Sequence, residues 1–207
     1  WYNAVCYSLK LAEEEKDKKF VEEWKEMPEL IRKSFVETFW NEEKGYLADY
    51  VDLEGQNLWV RPNQVFACSL AYSPITDDMK ESVLNVITRE LLTPKGLRTL
   101  SPKNPNYHGH YEGDQNRRDE AYHQGTVWPW LIGAYIEANL KLHGKQFLPE
   151  AKELLDGYEE DMTLYGVCSI AEVYDGDPPH NPNGSISQAW SVGEVLRSME
   201  LIRKCEN

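Results

Sequence analysis

Hydrophobic residues recur at helical spacing along most of this chain, in seven separate segments. The clearest segment repeats Met79, Val83, Ile87 and Leu91 every four residues, and Thr76 precedes it as a candidate N-cap. The alternation of apolar and polar residues that marks a half-buried strand is not sustained anywhere. The pattern therefore predicts an all-α fold, with helices over about residues 1–24, 28–39, 64–72, 76–91, 121–143, 148–158 and 188–202.

Short and long connections alternate between these predicted helices. The long connections cover about residues 41–61, 93–119 and 161–187, and they are rich in Trp, Tyr, His and Arg. Connections longer than ~12–15 residues are uncommon and usually functional or disordered, and this composition is not that of disorder. If neighbouring helices are antiparallel, all three long loops lie on one side. We therefore expect an α/α toroid of the (α/α)6-barrel type, here a partial ring of about seven helices, with the loops around one opening.

An armadillo-like solenoid would also alternate short and long connections, but it requires a sequence repeat, and this chain has none. The first helix begins at Trp1 without a cap or an initiator Met, so we expect the chain to be part of a larger protein.

The composition narrows the possible ligands. A formal net charge of -13 disfavours nucleic acid and anionic membranes, whereas 7 Trp and 12 Tyr suit the faces of a neutral sugar. No apolar run is long enough to span a membrane. The 4 Cys form no CxxC motif, which predicts free thiols and a reducing, cytoplasmic location.

The first long loop ends in Arg61, Pro62, Asn63 and Gln64. A Pro with polar neighbours is also typical of simple helix capping. Capping does not require three planar, multi-donor side chains, however, and such groups suit sugar hydroxyls. We therefore expect Arg61 and Asn63 to bind a ligand, with Asp49 as a further candidate.

The second long loop contains several residues of the types that bind zinc, but neither their spacing nor a fourth ligand indicates a metal site: His108, His110, Glu112 and His123. Pro129 would disturb a helix interior, so the regular helix should begin near it. Residues 123–128 then lie at its N-terminal end, facing the opening. Trp128 and Trp130 are the two tryptophans of this segment. We expect one of them to be a core residue and Trp128 to be the ligand platform.

The third long loop carries Glu172 between two apolar residues. A carboxylate in such a run must be paired, hydrogen-bonded or functional, because burying it unpaired is costly. A salt bridge to Arg117 or Arg118 is the competing explanation. Asp175 and Asp177, flanked by Gly and Pro, have the pattern of turn residues.

The motifs expected of other chemistries are missing. No nucleophilic Ser motif, phosphate-binding Gly loop or metal-type Cys/His spacing occurs. The remaining carboxylates, amides and tryptophans indicate glycosidase chemistry.

Several long motifs in this order resemble the C-terminal toroid domain of glycogen debranching enzymes, which has amylo-α-1,6-glucosidase activity. They are "RPNQVFACSL", "GLRTLSP", "YHGHYEGD", "RDEAYHQGTVWPWLIG" and "AEVYDGDPPHNPNGSISQAWSVGE". The prokaryotic form is the most similar. The resemblance covers nearly the whole chain and implies that residues 1–207 are the C-terminal portion of such a domain, needing no cofactor.

The resemblance also implies roles for individual residues. The motif "AEVYDGD" places the general base of an inverting hydrolysis on Glu172, and the general acid is an Asp upstream of Trp1. This chain alone would then turn over negligibly, because acid and base must act across one bond. The matched motifs give these substrate-binding candidates: Arg61, Asn63, Gln64, His110, Glu112, Tyr122, His123, Gln124, Thr126, Trp128, Gln188 and Trp190.

Other functions remain open at this point. A non-catalytic glucan-binding module would use the same aromatic and amide groups, and a helical scaffold for protein partners would leave them without a role. A sugar isomerase or epimerase of the toroid type would use His110 and His123. The expected partner is an α-glucan such as glycogen or a limit dextrin, and apolar helix faces exposed by a partial ring predict self-association.

Overall fold

The computed structural model describes residues 1–207, and more than half of the chain is helical. The helices are α1 (Tyr2–Glu14), α2 (Lys18–Trp24), α3 (Met27–Phe39), α4 (Val65–Ser69), α5 (Asp77–Glu90), α6 (Gln115–Tyr122), α7 (Leu131–His143), α8 (Leu148–Asp156), α9 (Asp161–Leu164) and α10 (Ala189–Glu206).

Helix α5 forms where the four-residue repeat predicts it. The Thr76 hydroxyl accepts a hydrogen bond from the Met79 amide at 3.3 Å, which satisfies one free donor of the first turn. Asp77 and Asp78 place negative charge at the positive end of the helix dipole. The N-cap, the acidic first turn and the apolar repeat therefore all indicate the same helix.

Three predicted helices differ from the structure. Residues 1–24 form two helices, because Lys16 adopts a positive φ of 60° and Asp17 caps α2. Residues 121–143 hold the end of α6, then β7, and then α7, which begins two residues after Pro129. Residues 64–72 contain only the five residues of α4, preceded by a 3-10 turn.

The prediction of a fold without strands was wrong. Nine short strands occur in or beside the long loops: β1 (Trp40–Asn41), β2 (Tyr46–Leu47), β3 (Tyr50–Asp52), β4 (Gly55–Asn57), β5 (Leu92–Thr93), β6 (Gly96–Arg98), β7 (Val127–Trp128), β8 (Val173–Tyr174) and β9 (Pro182–Asn183). None exceeds three residues, so an alternating pattern had no length over which to develop.

Five of the nine strands join the second long loop to the third. β1–β2 and β3–β4 are hairpins within the first loop, and β5 to β9 form one antiparallel sheet in sequence order. In this sheet Leu97 pairs with Trp128, and Val127 pairs with Tyr174. The second and third long loops are therefore hydrogen-bonded on either side of β7, on the side of the molecule where the alternation predicts them to meet.

The core surrounds α7, whose residues are buried on nearly every face. This helix packs against α4, α5 and α10. Val127, Val173 and Tyr174 of the sheet are fully buried and continue the same apolar cluster. The sheet is thus anchored directly on the helical core.

One helical face is open. An apolar groove of about 890 Å³ runs beside α1, α3 and α4, and it is lined by Leu30, Phe35, Phe39 and Phe66 among others. An exposed apolar helix face was expected of a partial ring. How much of the ring is present, and whether the chain self-associates, stay predictions. None of the helices is both long and apolar enough to cross a lipid bilayer. The four cysteines are unpaired thiols.

Candidate functional site

Glu172 lies immediately before β8, half-buried, and both of its carboxylate oxygens accept a hydrogen bond. The Tyr122 hydroxyl donates to Oε1 at 2.6 Å, and the Ser185 backbone N–H donates to Oε2 at 2.9 Å. Neither Arg117 nor Arg118 pairs with it; Arg118 instead donates to the Gly113 carbonyl. The competing salt bridge is therefore absent, and two neutral donors hold the carboxylate.

Tyr122 is a protonated donor in this arrangement. Burial, and then the hydrogen bond to Glu172, raises the pKa of Tyr122 above its usual range. Its ring also contacts the rings of Tyr111, His123 and Trp128, with centroids 5.7, 4.7 and 4.8 Å away. The hydroxyl is thus aimed at Glu172 by an aromatic cluster.

Gly184 allows the third loop to close over Glu172. Its φ of +70° lies in the left-handed region, and a Cβ at this position would be 2.6 Å from Glu172 Oε2. A side chain here would therefore push directly against the carboxylate.

Arg61 connects the first and second long loops. Its guanidinium donates to the Thr99 carbonyl at 3.0 Å, to the His123 carbonyl at 2.6 Å and to Gln124 Oε1 at 2.7 Å. Asp49 Oδ2 lies 3.5 Å from Nε, and both side chains are largely buried. Most N–H groups of Arg61 therefore donate within the chain, so this residue holds the two loops together as well as being a candidate to bind a ligand.

Beside this arginine lies a polar cleft of about 390 Å³. Its walls include the rings of Tyr50, Trp59 and His123, and the side chains of Asp49 and Asn63 line it as well. Aromatic faces beside amide and carboxylate groups suit a saccharide. Burial, and secondarily the charge of Arg61, lowers the pKa of His123, so its ring is neutral at pH 7. Glu172 does not line this cleft; Tyr122, which donates to Glu172, packs its ring 4.7 Å from the ring of His123, which does.

The tryptophans are arranged differently from the prediction. Trp128 is only 5% exposed, and its indole N–H donates to the Tyr122 carbonyl at 2.9 Å. Trp130, expected to be the core residue if Trp128 was the platform, is only partly buried and stacks on Trp190 at 5.6 Å. Trp190 is 48% exposed, so it presents far more ring surface to solvent than Trp128 does.

The remaining candidates divide by exposure. Thr126 and Gln64 are buried, and their polar groups bond to the Ala121 carbonyl and to the backbone of Leu47 and Arg61 respectively, so they support the loops. Gln188 caps α10. Glu112 and Asn63 are exposed, and Asn63 donates to Asp49. His110 lies between two carboxylates, 3.6 Å from Asp175 and 3.8 Å from Asp177. No group of three or more acidic, His or Cys side chains is arranged to hold a metal ion.

Sequence reasoning missed the environment of Asp175. It is 6% exposed and accepts three hydrogen bonds, from the Tyr111 amide and from the side chains of Asn181 and Asn183. The Gly and Pro residues around it indicated only a turn. One of its donors, the Tyr111 amide, lies 64 positions away, so the sequence around Asp175 could not show this environment.

Fold and site together define a glycosidase-like helical domain. Over 88% of its length the chain superposes on neutral trehalase from Saccharomyces cerevisiae, with a TM-score of 0.62, 15% sequence identity and 32% of the trehalase chain covered. At that identity the likeness shows the fold alone, and it agrees with the predicted toroid class.

The sequence gives the family. Residues 1–197 match the model of the amylo-alpha-1,6-glucosidase family, and the chain belongs to that family. It is also 30% identical over 158 residues to the glycogen debranching enzyme of Saccharomyces cerevisiae, a match that covers 66% of this chain and 10% of that enzyme. The chain therefore spans about a tenth of the length of this curated relative. The predicted family resemblance is confirmed.

Proposed function

We propose that this chain forms the base side of a glycosidase site that removes α-1,6-linked glucose at the branch points of an α-glucan, with inversion. Glu172 is the general base that activates the attacking water. The observation that carries this proposal is the environment of Glu172, a half-buried carboxylate with two neutral hydrogen-bond donors and no cation.

This environment suits a base. An ionised carboxylate has about four acceptor positions, and the two hydrogen bonds from Tyr122 and Ser185 leave others for a water. An arginine in bidentate contact would occupy those positions and favour the charged form, which weakens a base. A phenol and a backbone amide carry no positive charge and occupy only two positions, so they favour the charged form less than an arginine would.

The cleft beside Arg61 supports the saccharide part of the proposal. Its aromatic rings and its amide and carboxylate groups can bind the faces and hydroxyls of a glucosyl unit, and a formal charge of -13 disfavours anionic ligands. The name of the curated relative, glycogen debranching enzyme, directs the choice to an α-glucan. The general acid is assigned by resemblance to an Asp upstream of Trp1, at the ~6.5–9.5 Å separation that inversion requires. A cytoplasmic location stays a prediction.

The test is the substitution Glu172→Gln in the protein that contains this chain together with its general acid. Glucose release from a branched limit dextrin should fall by about 10²–10⁴-fold, the usual contribution of a general base. Glu120→Gln is the matched control, because Glu120 is exposed near the end of α6 and makes no side-chain hydrogen bond or ion pair. Proton NMR of the first-formed sugar should show β-glucose. A near-normal rate in Glu172→Gln would contradict the base assignment.

Two alternatives give other results in the same experiment. Saturable maltooligosaccharide binding by the intact protein without glucose release would indicate a binding module. A free-sugar isomer as product would indicate the histidine mechanism, although no contact joins His110, which lies beside Asp175, to His123, which stacks on Trp128.

A further inference from the structure

Asp175 is a buried carboxylate whose two oxygens accept three hydrogen bonds. Oδ1 accepts from the Tyr111 amide at 2.9 Å and from Asn183 Nδ2 at 3.0 Å, and Oδ2 accepts from Asn181 Nδ2 at 3.3 Å. The half-exposed His110 imidazole lies 3.6 Å from Oδ2. A carboxylate that is 6% exposed is stable only if such donors replace its water. The buried carboxylate therefore holds in place the residues that donate to it, Tyr111, Asn181 and Asn183.

The donors come from two loops. Asn181 and Asn183 lie in the same hairpin as Asp175, which β8 and β9 form. Tyr111 belongs to the second long loop, and its amide is the donor that ties this loop to the carboxylate. The backbone of Asp175 is also fixed, since its N–H donates to the Asn181 carbonyl at 2.9 Å. Asp175 is thus a rigid point against which the second loop is positioned.

From Tyr111 a direct line of contacts leads to Glu172. The Tyr111 ring packs on the Tyr122 ring with centroids 5.7 Å apart. The Tyr122 hydroxyl then donates to Glu172 at 2.6 Å. Displacing the backbone at Tyr111 moves one wall of the packing that aims this hydroxyl.

We infer that Asp175 is a positioning residue for Glu172, because it holds Tyr111 against Tyr122 and so keeps the Tyr122 phenol on the carboxylate. The inference rests on the proposed role of Glu172 as the base. It gives Asp175 a function that its position three residues after Glu172, in a Gly- and Pro-rich turn, does not explain.

A double-mutant cycle separates this role from general support of the fold. Asp175→Ala and Tyr122→Phe should each lower kcat about tenfold, as expected for losing one charge-assisted hydrogen bond, with KM changed less than about twofold. The double variant should be no slower than the slower single variant, because both changes act through the same hydrogen bond from Tyr122 to Glu172. Losses that multiply in the double variant, or a loss confined to KM, would overturn the inference.

Two further variants keep the cycle interpretable. Asp177→Asn is the matched control: Asp177 lies in the same turn and accepts from the Tyr107 hydroxyl at 2.9 Å, which an Asn oxygen can still do, so kcat should stay within about twofold. Asp175→Asn carries the test if Asp175→Ala does not fold. It retains one oxygen for the Tyr111 amide, so its kcat should lie between those of wild type and Asp175→Ala.

A spectroscopic measurement tests the coupling without activity. In protein labelled with ¹³C at tyrosine Cζ, the Tyr122 signal is identified by its loss in Tyr122→Phe. Glu172→Gln should shift that signal, Asp175→Ala should shift it in the same direction, and Asp177→Asn should not. An unmoved signal in Asp175→Ala would refute the coupling even if Glu172 is the base. Full hydrolysis by Glu172→Gln would instead refute the proposed function, and the NMR result would still decide whether Asp175 acts through Tyr122.

Discussion

Replacing Tyr122 with Phe removes one hydroxyl group and leaves the aromatic ring in place. In the structure that hydroxyl donates to Glu172 Oε1 at 2.6 Å, a short distance typical of a hydrogen bond to an ionised acceptor. The ring contacts with His123 and Trp128 remain, since their centroids, 4.7 and 4.8 Å away, do not depend on the hydroxyl. The substitution therefore isolates the hydrogen bond from the packing.

The expected magnitude follows from the type and exposure of this hydrogen bond. Hydrogen bonds to charged groups contribute about 1.5–3 kcal/mol. Tyr122 and Glu172 are both half-buried, so water can partly replace the lost donor and the lower end applies. About 1.5 kcal/mol corresponds to roughly a tenfold lower rate of hydrolysis. The free energy of unfolding should fall by no more than about 1.5 kcal/mol, because the same hydrogen bond is lost from the folded state.

The assay is steady-state glucose release from a branched limit dextrin, measured for wild type, Tyr122→Phe and Glu172→Gln. We expect Tyr122→Phe to be about tenfold slower and Glu172→Gln to be at least a further tenfold slower. A Tyr122→Phe rate within twofold of wild type, beside an inactive Glu172→Gln, would refute the idea that this donor orients the base.

Three other changes give distinct results. Gly184→Ala should lower hydrolysis strongly, because the added methyl would lie 2.6 Å from Glu172 Oε2. It should also destabilise the fold by about 1 kcal/mol or more, since the position has a φ of +70°. Glucose release measures the first effect and chemical denaturation the second. Arg61→Lys should destabilise the fold by about 1–3 kcal/mol and weaken maltooligosaccharide binding in calorimetry, because an ammonium cannot reproduce the three hydrogen bonds from the guanidinium that join two loops. Burial, and then the hydrogen bond from Tyr107 to Asp177, raises the pKa of Tyr107 to about 12. The protonated Tyr107 therefore contributes its full stabilisation below pH 10, and this stabilisation is lost as the pH rises to 12. Tyr107→Phe should therefore make the fall in unfolding free energy over that range shallower in denaturation curves.

The helical part of the fold was predictable where local signals agree. Thr76, two aspartates and the four-residue repeat fix α5 by short-range interactions alone. The break at Lys16 was not visible, because a positive φ at a non-glycine residue depends on the packing of the two helices it joins. The strands were missed for a related reason, since each is held by partners far away in the sequence.

The meeting of the long loops was predictable from the sequence, but the contacts between them were not. Alternating connection lengths indicated that three loops meet, and the hydrogen bonds of Arg61 and Tyr122 join them. Which tryptophan is exposed could not be read from the sequence, because Trp128 and Trp130 have nearly the same local surroundings. Trp128 lies in β7 and pairs with the distant Leu97, whereas Trp130 lies outside the strand, just before α7.

The small sheet also has a consequence for the order in which the molecule assembles. Its ladders join β6 to β7 and β7 to β8, segments about 30 and 47 positions apart, whereas each helix closes only local contacts. Closing such long loops costs entropy that is recovered only when the strands pair, so the ladder should form late in folding and open early. In native-state hydrogen exchange the amides of this ladder should then exchange through smaller openings than those of α7. The surroundings of Glu172, which precedes β8 directly, would thus be among the last parts of the chain to become ordered.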